Sequence, residues 1–148
     1  MSISPEKIAD FRLNQLSMVQ SNIARIGNYG ATIKNWCITL TTAVCGFALS
    51  VKFPGLIWLA LLPVVIFALM DAEYLRVERQ FRKTYDRVRR ENWDEPPNFD
   101  ISPDPSADAG LIAVLCSWSI MTFYLPLAAA IVIVGLVVQA IGLQSGAK

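Results

Sequence analysis

LIWLALLPVVIFALMDAEYLRVERQFRKTYDRVRREN, residues 56–92, is the stretch that decides the fold. Its first part, residues 56–70, is apolar, whereas the remainder is rich in arginine. Apolar side chains continue into the charged part in steps of three and four, the period of an α-helix: Met70, Tyr74, Val77, Phe81, Tyr85 and Val88. The pattern therefore predicts one long helix from Leu56 to about Asn92, partly in lipid and partly in cytosol.

The composition explains why a lipid phase is needed. Of the 148 residues, 54% are hydrophobic and 17% are charged, whereas soluble domains average roughly 45–50% and about 25%. A chain this short has too much surface for its volume to hide so many apolar side chains internally. We therefore predict an integral membrane protein. The net charge of +1 means that any electrostatic partner must be recognised by a local patch.

A second apolar run precedes the first one along the chain. Residues 36–51, WCITLTTAVCGFALSV, are followed by Lys52-Phe53-Pro54-Gly55, which has the composition of a turn. Each run is slightly shorter than the ~20 residues that cross a bilayer as a helix. Residues 31–33 can lengthen the first run, and Lys34 and Lys52 can extend toward the headgroups at its ends. This arrangement predicts a transmembrane helical hairpin over residues 36–71.

The last apolar region, residues 109–143, is too long for one crossing and short for two. We predict an interfacial helix near residues 107–121, followed by a span over about residues 123–143. The alternative is a pair of short spans hinged at Tyr124-Leu125-Pro126. With the single span, the C-terminus lies on the opposite side of the membrane from the N-terminus.

The region before the hairpin predicts a second cytoplasmic helix. Ser4, Pro5 and Glu6 form a favourable helix start, with a capping hydroxyl, a proline in the first turn and an acid at the positive dipole end. Four apolar residues then follow at helical spacing: Leu16, Val19, Ile23 and Ile26. We expect this stripe to pack antiparallel on the stripe of residues 72–92.

The distribution of basic residues predicts the orientation. Lysine and arginine are frequent before residue 36 and over residues 72–92, whereas the hairpin tip carries only Lys52. The positive-inside rule then places the N-terminus in the cytoplasm. The predicted fold is an all-α membrane protein, with a transmembrane helical hairpin, cytoplasmic helical extensions and a C-terminal transmembrane helix preceded by an interfacial helix. Its segments are a cytoplasmic helix (1–35), the hairpin (36–71), a basic amphipathic helix (72–92), an acidic proline-rich loop (93–108), and the interfacial helix with the final span (109–143).

One face of the central helix is basic. Its members recur in steps of three and four: Arg76, Arg79, Lys83, Arg87 and Arg90. Such a stripe is either solvated surface, an anchor for anionic headgroups, or a recognition face for a nucleotide, an oligonucleotide or an acidic partner. Residues 93–108 are acidic and proline-rich, with no basic residue. This segment could fold back onto the arginines of its own subunit or of a neighbouring one.

Two stripes of small residues lie in the predicted spans. The first span carries Thr39, Thr42, Gly46 and Ser50 on one face, and the last span carries Ala128, Gly135 and Gly142 in steps of seven. Small residues let helices approach closely in a bilayer, so the stripes predict either pore and subunit contacts or ordinary packing within one chain. No acidic or basic residue lies deep in a span, which argues against a charge-relay transporter. A pore would be apolar or lined by hydroxyls.

The sequence offers no catalytic or metal-binding constellation. It contains no histidine, and no motif pairs a nucleophile with a base. Cys37, Cys45 and Cys116 lie in apolar stretches without metal-ligand spacing, and we interpret them as small buried residues. We therefore predict a protein that is not an enzyme and that needs no cofactor or metal.

A family resemblance narrows the function. The residues that carry it are Lys34-Asn35-Trp36, Asp71-Ala72-Glu73-Tyr74-Leu75, Glu78-Arg79, Phe81-Arg82 and Tyr85. Over roughly residues 15–90 the chain resembles the SLATT-type small membrane effectors of bacterial anti-phage operons, and is similar to the channel subunit of the Hailong defence system. The resemblance implies a homo-oligomeric channel in the bacterial inner (cytoplasmic) membrane. It also implies a nucleotide or oligonucleotide signal and an operon-encoded nucleotidyltransferase as partner.

These observations support one main hypothesis and one rival. The first is an oligomeric ion channel or pore-forming effector that contacts membrane lipid and is gated through its cytoplasmic helices. The rival is a non-conducting membrane anchor that recruits a cytosolic partner through the basic face. Ion flux distinguishes the two.

Overall fold

The computed structural model describes residues 4–51, 53–107 and 109–145, with the backbone alone for residues 54 and 142–145. Within these ranges the chain forms helices and no strand, which confirms the all-α prediction. Four α-helices follow in chain order: α1 (Pro5–Ser50), α2 (Leu61–Arg90), α3 (Leu111–Leu115) and α4 (Trp118–Ser145). Two short 3-10 helices, Pro54–Ala60 and Pro105–Ala107, precede α2 and α3.

The chain divides into two compact units. The polar unit consists of the described residues up to Gly30 together with residues 74–110. The apolar unit consists of residues 31–73 together with the described residues from Leu111 onward. Helices α1 and α2 each contribute residues to both units.

Helix α1 begins where the sequence predicts. The Ile8 amide donates to the Ser4 carbonyl oxygen at 3.2 Å, so Ser4 is the residue before the first turn. The helix then continues to Ser50 and has no break near residue 35, where we separated a cytoplasmic helix from a span. Its buried residues recur in steps of three, four and seven: Ile8, Arg12, Gln15, Val19, Ile26, Ile33, Cys37, Thr41 and Ala48.

Helix α2 starts later than the predicted Leu56. Residues 54–60 form a 3-10 helix, and the α-helix begins at Leu61. This start places Pro63 in the first turn of α2, where a backbone N–H has no partner in the helix and its loss costs little. The helix ends at Arg90, and its last turn carries three basic residues that complement the negative end of the helix dipole.

In the polar unit, α1 and α2 run antiparallel, as predicted. The early residue Arg12 contacts the late residue Glu91, and the rings of Tyr29 and Tyr74 lie 5.7 Å apart. Of the two predicted stripes, Val19, Ile26 and Val88 are buried. The remaining stripe residues are half-buried, except for Met70, which is exposed: Leu16, Ile23, Tyr74, Val77, Phe81 and Tyr85.

The apolar unit contains helices that suit a bilayer. Gly55–Arg90 and Trp118–Ile141 are both long and apolar enough to cross a membrane. Only 28% and 22% of the most apolar stretch of each is buried inside the chain. A helix from the core of a soluble protein would be mostly buried, so the structure supports a membrane protein. Helix α1, which contains the predicted first span, is not among these helices, because its apolar run over residues 36–50 is short and follows Lys34 and Asn35 directly.

The C-terminal region differs from the prediction. Only Leu111–Leu115 forms a separate short helix, and α4 begins at Trp118. The prediction of one interfacial helix over residues 107–121 is therefore wrong. Helix α4 also continues through Pro126, so there is no hinge at residues 124–126. In an apolar phase a helix keeps its backbone hydrogen bonds around a proline, because no water is there to replace them.

Candidate functional site

The acidic segment, residues 93–107, is attached to α1 and α2 by buried polar side chains. Arg12 is 3% exposed, and its guanidinium forms an ion pair with the Glu91 carboxylate. It also donates to the carbonyl oxygens of Asn92 at 2.9 Å and Glu95 at 3.1 Å. Arg12 therefore satisfies two main-chain carbonyls of the chain that follows α2.

Two further buried residues hold the middle of the segment. Gln15 Nε2 donates to Asn98 Oδ1 and to the main-chain oxygen of Asp100, both at 3.3 Å. Thr84 Oγ1 donates to the Ser102 carbonyl oxygen at 2.8 Å. The segment thus folds back onto its own subunit, one of the two arrangements left open by the sequence. We did not single out Arg12 or Gln15, although their spacing from Val19 places them on the buried face of α1.

The structure brings together three residues of the predicted basic stripe. Lys83, Arg87 and Arg90 line one pocket of ≈ 290 Å³, and Asp86 and Asp104 line it as well. We call this pocket, which these five residues line, the charged pocket. The other two members of the stripe, Arg76 and Arg79, are half-buried and do not line it.

The acidic segment supplies carboxylates to this region. Asp100 Oδ2 lies 3.4 Å from Arg87 Nη2, and the two side chains are 46% and 41% exposed. Hydrogen bonds from Ser102 lower the pKa of Asp100, and Arg87 adds to that effect. Hydrogen bonds from Ser106 lower the pKa of Asp104, with smaller contributions from Lys83 and Arg87. Both carboxylates are therefore charged at neutral pH.

The stripe of small residues on α1 is exposed along its whole length. Thr39, Thr42, Gly46 and Ser50 are all exposed. The hydroxyls of Thr39 and Ser50 donate to carbonyl oxygens of their own helix, at 2.9 and 3.1 Å. A Cβ atom added at Gly46 would meet nothing within 4 Å. This face of α1 is open to lipid or to another subunit.

The small residues of α4 have a different environment. A Cβ atom at Gly135 would lie 3.3 Å from Trp58 Cζ2 and 3.5 Å from Ile57 Cγ2, so Gly135 packs within its own chain. Ala128 is half-buried and lines an apolar groove with residues of α2. Gly142 belongs to α4, but its surroundings lie outside the described residues, as does Lys52. Intramolecular packing therefore accounts for the buried part of this stripe.

An ion pair in the apolar unit was missed by the sequence reasoning. Lys34 Nζ lies 2.6 Å from Asp71 Oδ2, and the Asp71 side chain is only 6% exposed. The same ammonium lies 5.9 Å from the centre of the Phe123 ring. The sequence placed Lys34 at the end of a span and did not connect it with Asp71, because their pairing depends on how α1 and α2 pack. Buried charges of this kind persist only when they are paired.

The cysteines follow the prediction only in part. Cys37 is buried and Cys45 is half-buried, but Cys116 is exposed, which corrects our interpretation of all three as buried residues. Cys116 lies at the break between α3 and α4.

A scan of protein-family models and searches of curated proteins and of solved structures found no match to the chain. The function must therefore be inferred from the sequence and the geometry of this chain.

Proposed function

We propose that this protein is the subunit of an oligomeric membrane channel or pore-forming effector of the SLATT type, which acts in bacterial anti-phage defence. In this proposal the N-terminus is in the cytoplasm of the bacterial inner membrane, and a nucleotide-derived or partner signal controls the channel. The link to defence rests on the sequence resemblance over residues 15–90. The oligomeric channel rests on one structural observation, the exposed hydroxyl-bearing face of α1.

That face supports subunit contacts for a physical reason. Thr39, Thr42 and Gly46 are small and exposed, so no other helix of the described residues covers them. Neighbouring positions on α1 carry bulky apolar residues such as Phe47 and Trp36, which are 60% and 58% exposed. In lipid, close packing and interhelical hydrogen bonds drive helix association, and small residues permit both. The proposal therefore makes residues 36–50 a third span and a contact between copies.

Control from the cytoplasm is supported by the continuity of the helices. Helix α1 extends over Pro5–Ser50 and α2 over Leu61–Arg90, and each contributes to both units. The basic residues of the charged pocket belong to the same helix that carries the apolar stretch up to Met70. A ligand that binds this pocket would act on a helix that extends into the apolar unit.

Ion flux is the decisive experiment. The full chain is reconstituted into liposomes that contain an ion-sensitive dye, and the variant Gly46→Leu is compared with Ala130→Leu. Ala130 is also a small exposed residue of an apolar helix, but it lies outside both stripes. We expect wild type and Ala130→Leu to conduct and Gly46→Leu to lose most of the flux, because a bulky side chain separates the helices.

The same assay distinguishes the rival function. A wild-type protein that inserts fully and never passes ions, with or without inorganic tripolyphosphate, is a non-conducting anchor. In cells, a deregulated channel depolarises the membrane, and Gly46→Leu should relieve that depolarisation. Equal flux through Gly46→Leu and wild type would show that the exposed face of α1 takes no part in conduction.

A further inference from the structure

The charged pocket has a cationic wall and acidic residues that face it. Lys83, Arg87 and Arg90 lie on one face of α2, so their side chains follow one another along successive turns about 5.4 Å apart. Within the described residues, neither Lys83 nor Arg90 has an ion-pair partner. The neighbouring basic residues outside the pocket are paired along the helix, Arg82 with Glu78 at 2.5 Å and Arg89 with Asp86 at 3.8 Å. Over residues 82–90, the two cations that have no ion-pair partner among the described residues therefore both line the pocket.

We infer that the charged pocket binds a ligand with more than one phosphate group, and that Asp100 and Asp104 of the same chain compete with this ligand for the cations. The inference rests on the proposed function for its role in channel control, whereas binding itself does not depend on it. Guanidinium groups match pairs of phosphate oxygens, and cations on successive helix turns can each engage a different phosphate.

The attachments of the acidic segment make such competition possible. Gln15 holds Asp100 through its main-chain oxygen, and the main-chain N–H of Asp104 donates to the Gln80 carbonyl oxygen at 3.4 Å. Neither of these attachments uses a carboxylate. The carboxylate of Asp100 meets Arg87 only at 3.4 Å, in a pair that is almost half exposed. A stronger anion can therefore displace the carboxylates while the segment stays attached.

The charge of the competing residues persists at neutral pH. The pKa of Asp104 is lowered, first by the hydrogen bonds from Ser106 and further by Lys83 and Arg87. The carboxylate therefore faces the cations in its ionised form. Exposed pairs of this kind contribute little because water screens them, whereas a ligand with several phosphate groups brings more negative charge and more strong acceptor oxygens to the same cations. A ligand with several phosphate groups should therefore displace the carboxylates of Asp100 and Asp104 from these cations.

The test is calorimetric titration of the detergent-solubilised full chain with inorganic tripolyphosphate. We expect Arg87→Gln and Lys83→Gln each to weaken binding about tenfold, because each removes a charged hydrogen-bond donor. The matched control is Arg82→Gln, since Arg82 is also a basic, exposed residue of α2 but pairs with Glu78 outside the pocket. Circular dichroism of each variant checks that the helices are retained.

The competition has its own variant. Asp104→Asn keeps an oxygen that can accept the hydrogen bonds from Ser106, so the turn is retained while the charge is removed. We expect Asp104→Asn to bind tripolyphosphate about two- to fivefold more tightly than wild type. An equal loss in Arg82→Gln and Arg87→Gln would overturn the pocket, and unchanged affinity in Asp104→Asn would overturn the competition.

The outcomes separate this inference from the channel proposal. A chain that binds tripolyphosphate through Lys83 and Arg87 but never conducts ions refutes the channel and supports the pocket. A chain that conducts ions but binds no tripolyphosphate refutes the pocket alone.

Discussion

Replacement of Arg12 by methionine should weaken the attachment of the acidic segment to α1. Methionine keeps the apolar stem that packs in this position but removes the guanidinium and its three contacts, to Glu91, Asn92 and Glu95. The main loss is the ion pair, which leaves the Glu91 side chain, 28% exposed, without its cation. Removing one partner of a buried pair costs about 3–5 kcal/mol.

The lower end of that range applies here. Water can reach part of Glu91, and Asn92 and Glu95 are exposed, so their carbonyl oxygens can be hydrated after the change. We therefore expect a loss of about 3 kcal/mol, which corresponds to roughly a hundredfold change in the equilibrium by which residues 91–107 detach from α1. The loss is local, because the apolar residues buried in the polar unit, such as Val19, Ile26 and Val88, are unchanged.

Hydrogen exchange of the segment measures this effect directly. The reporter is the Asp104 amide, which donates to the Gln80 carbonyl oxygen and exchanges when the segment opens. The matched control is Arg25→Met on the same helix, because Arg25 is exposed and, within the part of the chain that is described, donates only to Asn22 at 2.9 Å. For this control we expect a change within about 0.5 kcal/mol.

A second variant tests the cause. In Arg12→Met combined with Glu91→Met no charge is left behind, so stability should recover in part. If Arg12→Met exchanges at the same rate as Arg25→Met, the guanidinium does not hold the segment and the reasoning is refuted.

Three further changes probe the remaining structure. Replacing Lys34 by methionine should lower the thermal unfolding temperature in detergent, because it leaves the buried Asp71 unpaired. Exchanging the two charges in one double variant should restore part of the loss. Equal destabilisation of both variants would contradict a pairing role. Gly135→Leu should destabilise the apolar unit by about 1–3 kcal/mol, since the added side chain meets the indole packed against it, and an unchanged unfolding temperature would exclude that contact. The lowered pKa of Asp104 means that its turn contributes to stability above a pH of about 4 and loses that contribution as the pH falls further. Protection of the Ser106 amide, corrected for the intrinsic exchange rate, should therefore fall in that window, and constant protection down to pH 2 would contradict it.

The helical and membrane character of this protein could be predicted from local sequence alone. Apolar runs such as residues 56–70 and the helical period that follows them are properties of neighbouring residues, and burial in lipid does not depend on a distant partner. The start of α1 after Ser4 follows from local capping rules in the same way. The basic stripe on α2 was also readable, because residues three and four apart share a helix face.

Contacts between distant residues required the tertiary structure. Arg12 and Gln15 are polar residues of a helix, and only the return of residues 93–107 onto α1 makes their burial favourable. Lys34 and Asp71 become partners only because α1 and α2 pack side by side in the apolar unit. Such pairings are chosen by packing and desolvation over the whole chain, which local composition does not encode.

Residues 56–92 show both what local sequence determines and what tertiary structure decides. Residues 56–92 determine by themselves an apolar helix that continues as a basic one, because hydrophobicity and helical period are written in adjacent residues. Their sequence does not determine which of the basic residues gather in one pocket. Lys83, Arg87 and Arg90 do so because the acidic segment, held by hydrogen bonds from Arg12, Gln15 and Thr84, brings Asp104 against that part of α2.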